Sequence, residues 1–133
     1  QVGLARCLKL LNRTDEALTE LRKAEREFGR LGLMGPLGSC LGTQANILSA
    51  QQRYDEALEL NLKAEQCMRG SGQRVWLATC LFNITRLCLV TGRVSLGVEK
   101  GRQALEELEH CQAPYQMLST CRRLLAELEK HQY

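Results

Sequence analysis

Arg13-Thr14-Asp15-Glu16-Ala17-Leu18 returns 40 residues later as Arg53-Tyr54-Asp55-Glu56-Ala57-Leu58, and again, degraded, as Arg93-Val94-Ser95-Leu96-Gly97-Val98. Each copy is followed by an alanine in the same phase: Ala24, Ala64 and Ala104. A fixed period in the range of about 20–50 residues marks a stacked-repeat architecture, in which no unit can bury its apolar face alone. Such arrays present an extended surface to a partner more often than they perform chemistry.

Working outward from these copies, apolar residues recur at three- and four-residue steps along the whole chain. Breakers divide it into seven expected helices, at about 1–12, 15–31, 37–52, 55–69, 75–91, 95–111 and 115–131. Gly32, Gly35 and Pro36 separate the second from the third, Gly70-Ser71-Gly72 closes the fourth, Gly92 the fifth, and Ala113-Pro114 opens the last. Asp15-Glu16 and Asp55-Glu56 fall in first turns, where carboxylates meet the positive end of the helix dipole. Links of two or three residues force antiparallel hairpins, and slightly longer links between hairpins make the pairs stack side by side.

Composition agrees. The chain has 133 residues, 44% hydrophobic, with 5% aromatics and two prolines, as expected of one all-α domain. A net charge of +3 is too mild for a general nucleic-acid binder, which carries a concentrated basic stripe. The seven cysteines are odd in number and form no Cys-x-x-Cys pair. Cys7, Cys40, Cys80, Cys88 and Cys121 fall in apolar helical stretches, which predicts reduced, buried thiols and a reducing compartment rather than a disulfide scaffold. His110 and His131 do not stand at zinc-ligand spacing from a cysteine pair. His110 and Cys111, being adjacent, point about 100° apart on a helix and make a poor nucleophile pair. No apolar run approaches the ~20 residues of a membrane span, and no segment reads as a signal peptide. Gln1 stands inside a helical pattern already begun, which predicts a fragment of a longer protein.

The pattern resembles the tetratricopeptide repeat family. That family places a small residue in the middle of helix A and a large apolar residue three further on, then a turn with a glycine and an aromatic, then small residues in helix B. Ala45, Leu48, Gln52, Tyr54, Ala57 and Ala64 match it in the second repeat. Ala5, Leu8, Asn12, Thr14, Ala17 and Ala24 match in the first, and Thr85, Cys88, Gly92, Val94, Gly97 and Ala104 in the third. There are departures: the turn glycine is present only at Gly92, and the helix B aromatic is replaced by Leu21, Asn61 and Gly101. The usual period is 34 residues. A period of 40 is similar to the longer arrays of LGN/Pins polarity adaptors, rapsyn and kinesin light chain.

The resemblance implies a right-handed α-α superhelix of antiparallel helix pairs, with repeats at about 1–34, 35–73 and 74–113 and a capping helix at 114–133. It implies a cytoplasmic, non-catalytic adaptor that binds a peptide or protein in its concave groove, without metal or cofactor. Helix A residues would line that groove: Gly3, Arg6 and Lys9; Ser39, Thr43, Asn46 and Ser49; Thr79, Phe82, Asn83, Arg86 and Val90; then Ser119, Arg122, Arg123 and Lys130. From this set Arg6, Lys9, Thr43, Asn46, Phe82, Asn83, Arg86, Arg122 and Arg123 are the expected binding residues. The groove face is more basic than the chain as a whole, which predicts an acidic partner. Asparagine both donates and accepts, so it can hold an extended backbone without demanding a sequence. The bland reading of the same residues is a solvated polar stripe. The rival function is a structural segment of a longer superhelix, such as the sensor array of a signalling NTPase, that packs on neighbouring domains or self-associates through its repeat ends.

Overall fold

The computed structural model describes the backbone of residues 2–132 and the side chains of residues 13–132. The fold is all-α. The described residues form six helices: α1 (Val2–Leu31), α2 (Met34–Ala50), α3 (Tyr54–Ser71), α4 (Arg74–Thr91), α5 (Val94–His110) and α6 (Tyr115–Lys130). Each helix packs on its successor, and α4 also touches α6.

What ends the helices is regular. Positive φ angles occur at Gly32, Gln52, Gly72, Gly92 and Gln112, one every 20 residues, each just beyond a helix. A left-handed residue there turns the chain back and lets its amide reach the last carbonyls. At the first turn of α4–α5, for example, the Arg93 amide bonds the Cys88 carbonyl at 3.0 Å. The next place in this series toward the amino terminus is Asn12, and there the backbone stays helical. The expected first and second helices are therefore one 30-residue helix, and the expected seven become six. The stretch Asn12-Arg13-Thr14 contains neither glycine nor proline, so nothing in it opposes helix propagation.

The small residues at 40-residue spacing do what their size suggests. Ala57 is fully buried, and a Cβ built on Gly97 would stand 2.9 Å from the Cys88 Cβ and from both Leu128 methyls. Only glycine permits that approach of α5 to α4 and α6. Ala17, expected to be buried likewise, is half-buried, because α1 runs straight and no separate helix folds back over it. A second device joins consecutive hairpins. The Cys40 thiol donates to the Leu21 carbonyl at 2.9 Å, and one period later the Cys80 thiol donates to the Asn61 carbonyl at 3.2 Å.

The core follows the apolar stripes. Leu41, Ala45, Leu48, Leu58, Ile84 and Cys88 form one cluster across α2, α3 and α4, and Leu77, Leu81, Leu108 and Cys121 form a second toward α6. Each fully buried leucine or isoleucine contributes about 1.5–3 kcal/mol of transfer free energy. α4 is strongly apolar. Its 18 residues, with mean hydropathy 1.2, are long and apolar enough to cross a membrane by composition alone. Here α3, α5 and α6 pack on it and bury Leu77, Leu81, Ile84, Leu87 and Cys88, while Val75, Trp76 and Val90 stay exposed.

Among the described residues one charged group is buried. Glu65, 1% exposed, meets Lys100, whose Nζ stands 2.9 Å from both carboxylate oxygens. The contact to Oε2 has hydrogen-bond geometry and that to Oε1 does not. Arg69 Nε donates to Oε2 at 2.9 Å. The three tie α3 to α5.

Candidate binding groove

A groove of about 320 Å³ opens between α2 and α4. α2 supplies Gly38, Ser39, Gly42, Thr43 and Asn46 to one wall; α4 supplies Trp76, Thr79, Cys80 and Asn83 to the other; Asn61, Ala64 and Met68 of α3 form the floor. The walls repeat each other. Ser39 and Thr79, and Thr43 and Asn83, stand one 40-residue period apart, so the two helices present equivalent faces. The sequence-predicted residues Thr43, Asn46 and Asn83 are thus brought together in one place.

The groove is neutral: none of the residues lining it carries a charge. Its hydrogen-bonding capacity is one-sided at the threonines. Thr43 spends its hydroxyl hydrogen on the Ser39 carbonyl at 2.9 Å, and Thr79 on the Val75 carbonyl at 3.2 Å, so both oxygens face outward as acceptors. Asn46 is exposed. Asn83 accepts from Arg86 Nη2 at 3.3 Å, which leaves its own amide hydrogens to donate. The Cys80 thiol on the α4 wall is not a nucleophile: burial, with Glu65 nearby, pushes it up to about 12, and it donates to a carbonyl.

Of the predicted basic residues whose side chains are described, none lines the groove. Arg86 is exposed one turn beyond Asn83 and reaches back to it. Arg122 lies on α6 and pairs with Glu109 at 3.4 Å, while Arg123 is exposed on the same helix. Phe82 is half-buried against the cluster of Leu77, Leu81, Leu108 and Cys121, apart from the groove lining. Arg6 and Lys9 lie outside the residues whose side chains are described.

Two other hollows bear on the choice. A cleft of about 720 Å³ lies on the opposite face of α2, between α1 and α3. Arg22, Arg26, Arg53 and Lys63 oppose Glu25, Asp55, Glu56 and Glu59 along it, a balanced and largely exposed set of charges. An apolar hollow of about 280 Å³ between α1 and α2 is lined by Leu21, Ala24, Phe28, Pro36, Ser39, Cys40 and Thr43. Seven groove residues (Asn61, Ala64, Met68, Trp76, Thr79, Cys80 and Asn83) are the same positions one period later. The hollow therefore repeats one wall and the floor of the groove one period earlier.

Sequence reasoning passed over Trp76, Asn61 and Gly42. Trp76 reads as a packing residue, but it is half exposed at the groove. Asn61 carried a visible signal: an amide stands where the other repeats have Leu21 and Gly101, inside an apolar register. Gly42 lies mid-helix with nothing within 4 Å of where its Cβ would be, so packing does not require glycine there.

Among the described residues no three His, Cys, Asp or Glu side chains gather as metal ligands would. His110 is engaged by Arg74, with Nε2 2.7 Å from the guanidinium. The arrangement the groove offers is hydrogen bonding to a polar chain, with acceptors and donors on two parallel walls. The sequence matches no family model and no curated protein.

Proposed function

We propose that the chain is a non-catalytic protein-interaction module of tetratricopeptide type, a right-handed superhelix that binds an extended segment of a partner protein in the groove between α2 and α4. The observation that carries this reading is the duplicated polar wall. Equivalent residues on two helices line a groove that the chain's own side chains leave open, with Trp76 half exposed at it. Exposed aromatic surface beside hydrogen-bonding groups is characteristic of binding sites. Asn46 and Asn83 hold the partner's backbone. Arg86, Arg122 and Arg123 attract acidic residues that flank the bound stretch, each contributing modestly because it is solvated. Reduced, buried thiols suit a cytoplasmic setting.

The test is selection from a random dodecapeptide display library on the intact chain, followed by affinity measurement on variants. Enriched peptides should lose most of their affinity with Asn46→Ala combined with Asn83→Ala. They should lose it gradually as salt rises, and Arg86→Glu with Arg123→Glu should weaken binding at low salt and flatten that loss. Peptides indifferent to all four substitutions would refute the groove.

The apolar hollow between α1 and α2 favours a second reading for that end of the chain: a stretch of a longer superhelix, covered there by another helix or by a second copy. Concentration-dependent association in sedimentation, abolished by Phe28→Glu, would support it.

A further inference from the structure

We propose that the floor of the groove is a specificity pocket for one side chain of the bound segment, and that this side chain is an uncharged carboxamide, Asn or Gln. The proposal rests on the groove being the binding surface and adds what it selects.

Asn61 is 3% exposed, yet its amide NH₂ donates to no group among the described residues. Its Oδ1 faces only the Cys80 thiol, at 4.0 Å. The amide borders the groove and is not sealed off, so the acceptor that completes it comes from whatever fills the groove. The scaffold does not need an amide at this position, since Leu21 and Gly101 fill it in the other repeats. Space is reserved above it. Gly42 is a helix-interior glycine whose missing side chain would project into the open groove. Trp76 offers a flat apolar wall.

The hydrogen-bond polarity decides the ligand. Asn61 needs an acceptor. The Thr43 and Thr79 hydroxyls have committed their hydrogens to Ser39 and Val75, and so can only accept from a ligand. A carboxamide supplies both from one group. A carboxylate supplies no donor and would be desolvated where no cation lines the pocket. A lysine or arginine side chain supplies donors and leaves Asn61 unmatched.

The experiment uses the dodecapeptides enriched on the intact chain. Trp76 is the only tryptophan, so its fluorescence reports occupancy directly. The expected result is an Asn or Gln at one shared position of the peptides. Changing it to Asp or Glu should weaken binding at least about tenfold, as losing one buried hydrogen-bond partner does. Asn61→Leu and Gly42→Leu should weaken it comparably, with helicity unchanged. Thr79→Val, an exposed substitution that keeps the fold, should weaken Asn- or Gln-bearing peptides by about threefold or more. Peptides that depend on Asn46 and Asn83 but show no shared carboxamide, or that tolerate the Asp or Glu swap, would overturn the pocket and leave the groove standing. Absence of any groove-dependent peptide would overturn both.

Discussion

Replacing Gly97 by alanine and Gly42 by alanine should move stability in opposite directions. Both glycines sit inside helices, where alanine is intrinsically better by about 0.8–1 kcal/mol. At Gly42 nothing stands within 4 Å of the new Cβ, so the whole of that gain should appear. At Gly97 the new Cβ meets the Cys88 Cβ and both Leu128 methyls at 2.9 Å. Carbon atoms prefer about 3.5–4.0 Å, so three contacts lie well inside the repulsive wall. The Leu128 methyls belong to a fully buried side chain, and the Cys88 Cβ is one bond from a helix backbone; neither retreats easily. Overpacking of this kind costs about 1–3 kcal/mol. After the propensity gain, Gly97→Ala should be destabilising by up to about 2 kcal/mol, while Gly42→Ala stabilises by about 1. Urea unfolding followed by circular dichroism measures both, and 1 kcal/mol corresponds to a melting shift of about 4 °C for a chain this long. Equal stabilisation by the two substitutions would refute the packing of α5 against α4 and α6, and with it the 40-residue register.

Other outcomes follow from the same coordinates. Lys100→Met strands the Glu65 carboxylate with Arg69 alone and should cost about 3 kcal/mol, most of it recovered by adding Glu65→Gln, as urea unfolding would show. Gln52→Gly and Gln112→Gly relieve left-handed backbone at φ of 62° and 55° and should each raise the unfolding midpoint, by about 0.5–1 kcal/mol after glycine's own entropy is counted. Burial pushes the Cys88 thiol up to about 11 and Cys80 to about 12, so the unfolded chain ionises first. Stability is fully present below pH 9 and should fall above it, by about 1 kcal/mol per thiol at pH 10. Timed alkylation at neutral pH should modify half-buried Cys111 well before the five buried cysteines, Cys40, Cys67, Cys80, Cys88 and Cys121. Deleting residues 115–133 uncovers the α5 face beneath Leu125 and Leu128 and should cause aggregation visible by light scattering.

Much of the fold was legible because the repeat encodes it twice over. The apolar steps placed Leu41, Leu58, Leu81 and Cys88 in the core, and the spacing of Ala57 and Gly97 located close helix contacts. The break after residue 12 was inferred from the repeat phase alone; Asn12 could adopt the left-handed conformation that phase requires, yet the helix runs through it. Gln52 and Gln112 show the converse, adopting left-handed backbone without glycine because packing on both sides demands a turn. In the groove, alignment found Thr43, Asn46 and Asn83, since they lie on the polar stripes of α2 and α4. The basic residues it named stand outside this groove's lining, and Arg122 pairs with Glu109 of α5. Asn61 was passed over because it lies on the adjoining helix, and which helix forms the floor depends on tertiary packing.

The most direct measurement is a chemical-shift map of the ¹⁵N-labelled chain titrated with an enriched peptide. If the groove binds, perturbations gather on Thr43, Asn46, Asn61, Thr79 and Asn83 and on the Trp76 indole. Perturbations gathered instead on Arg22, Glu59 and Lys63, with the groove signals unmoved, would place the partner in the opposite cleft and contradict the proposed function.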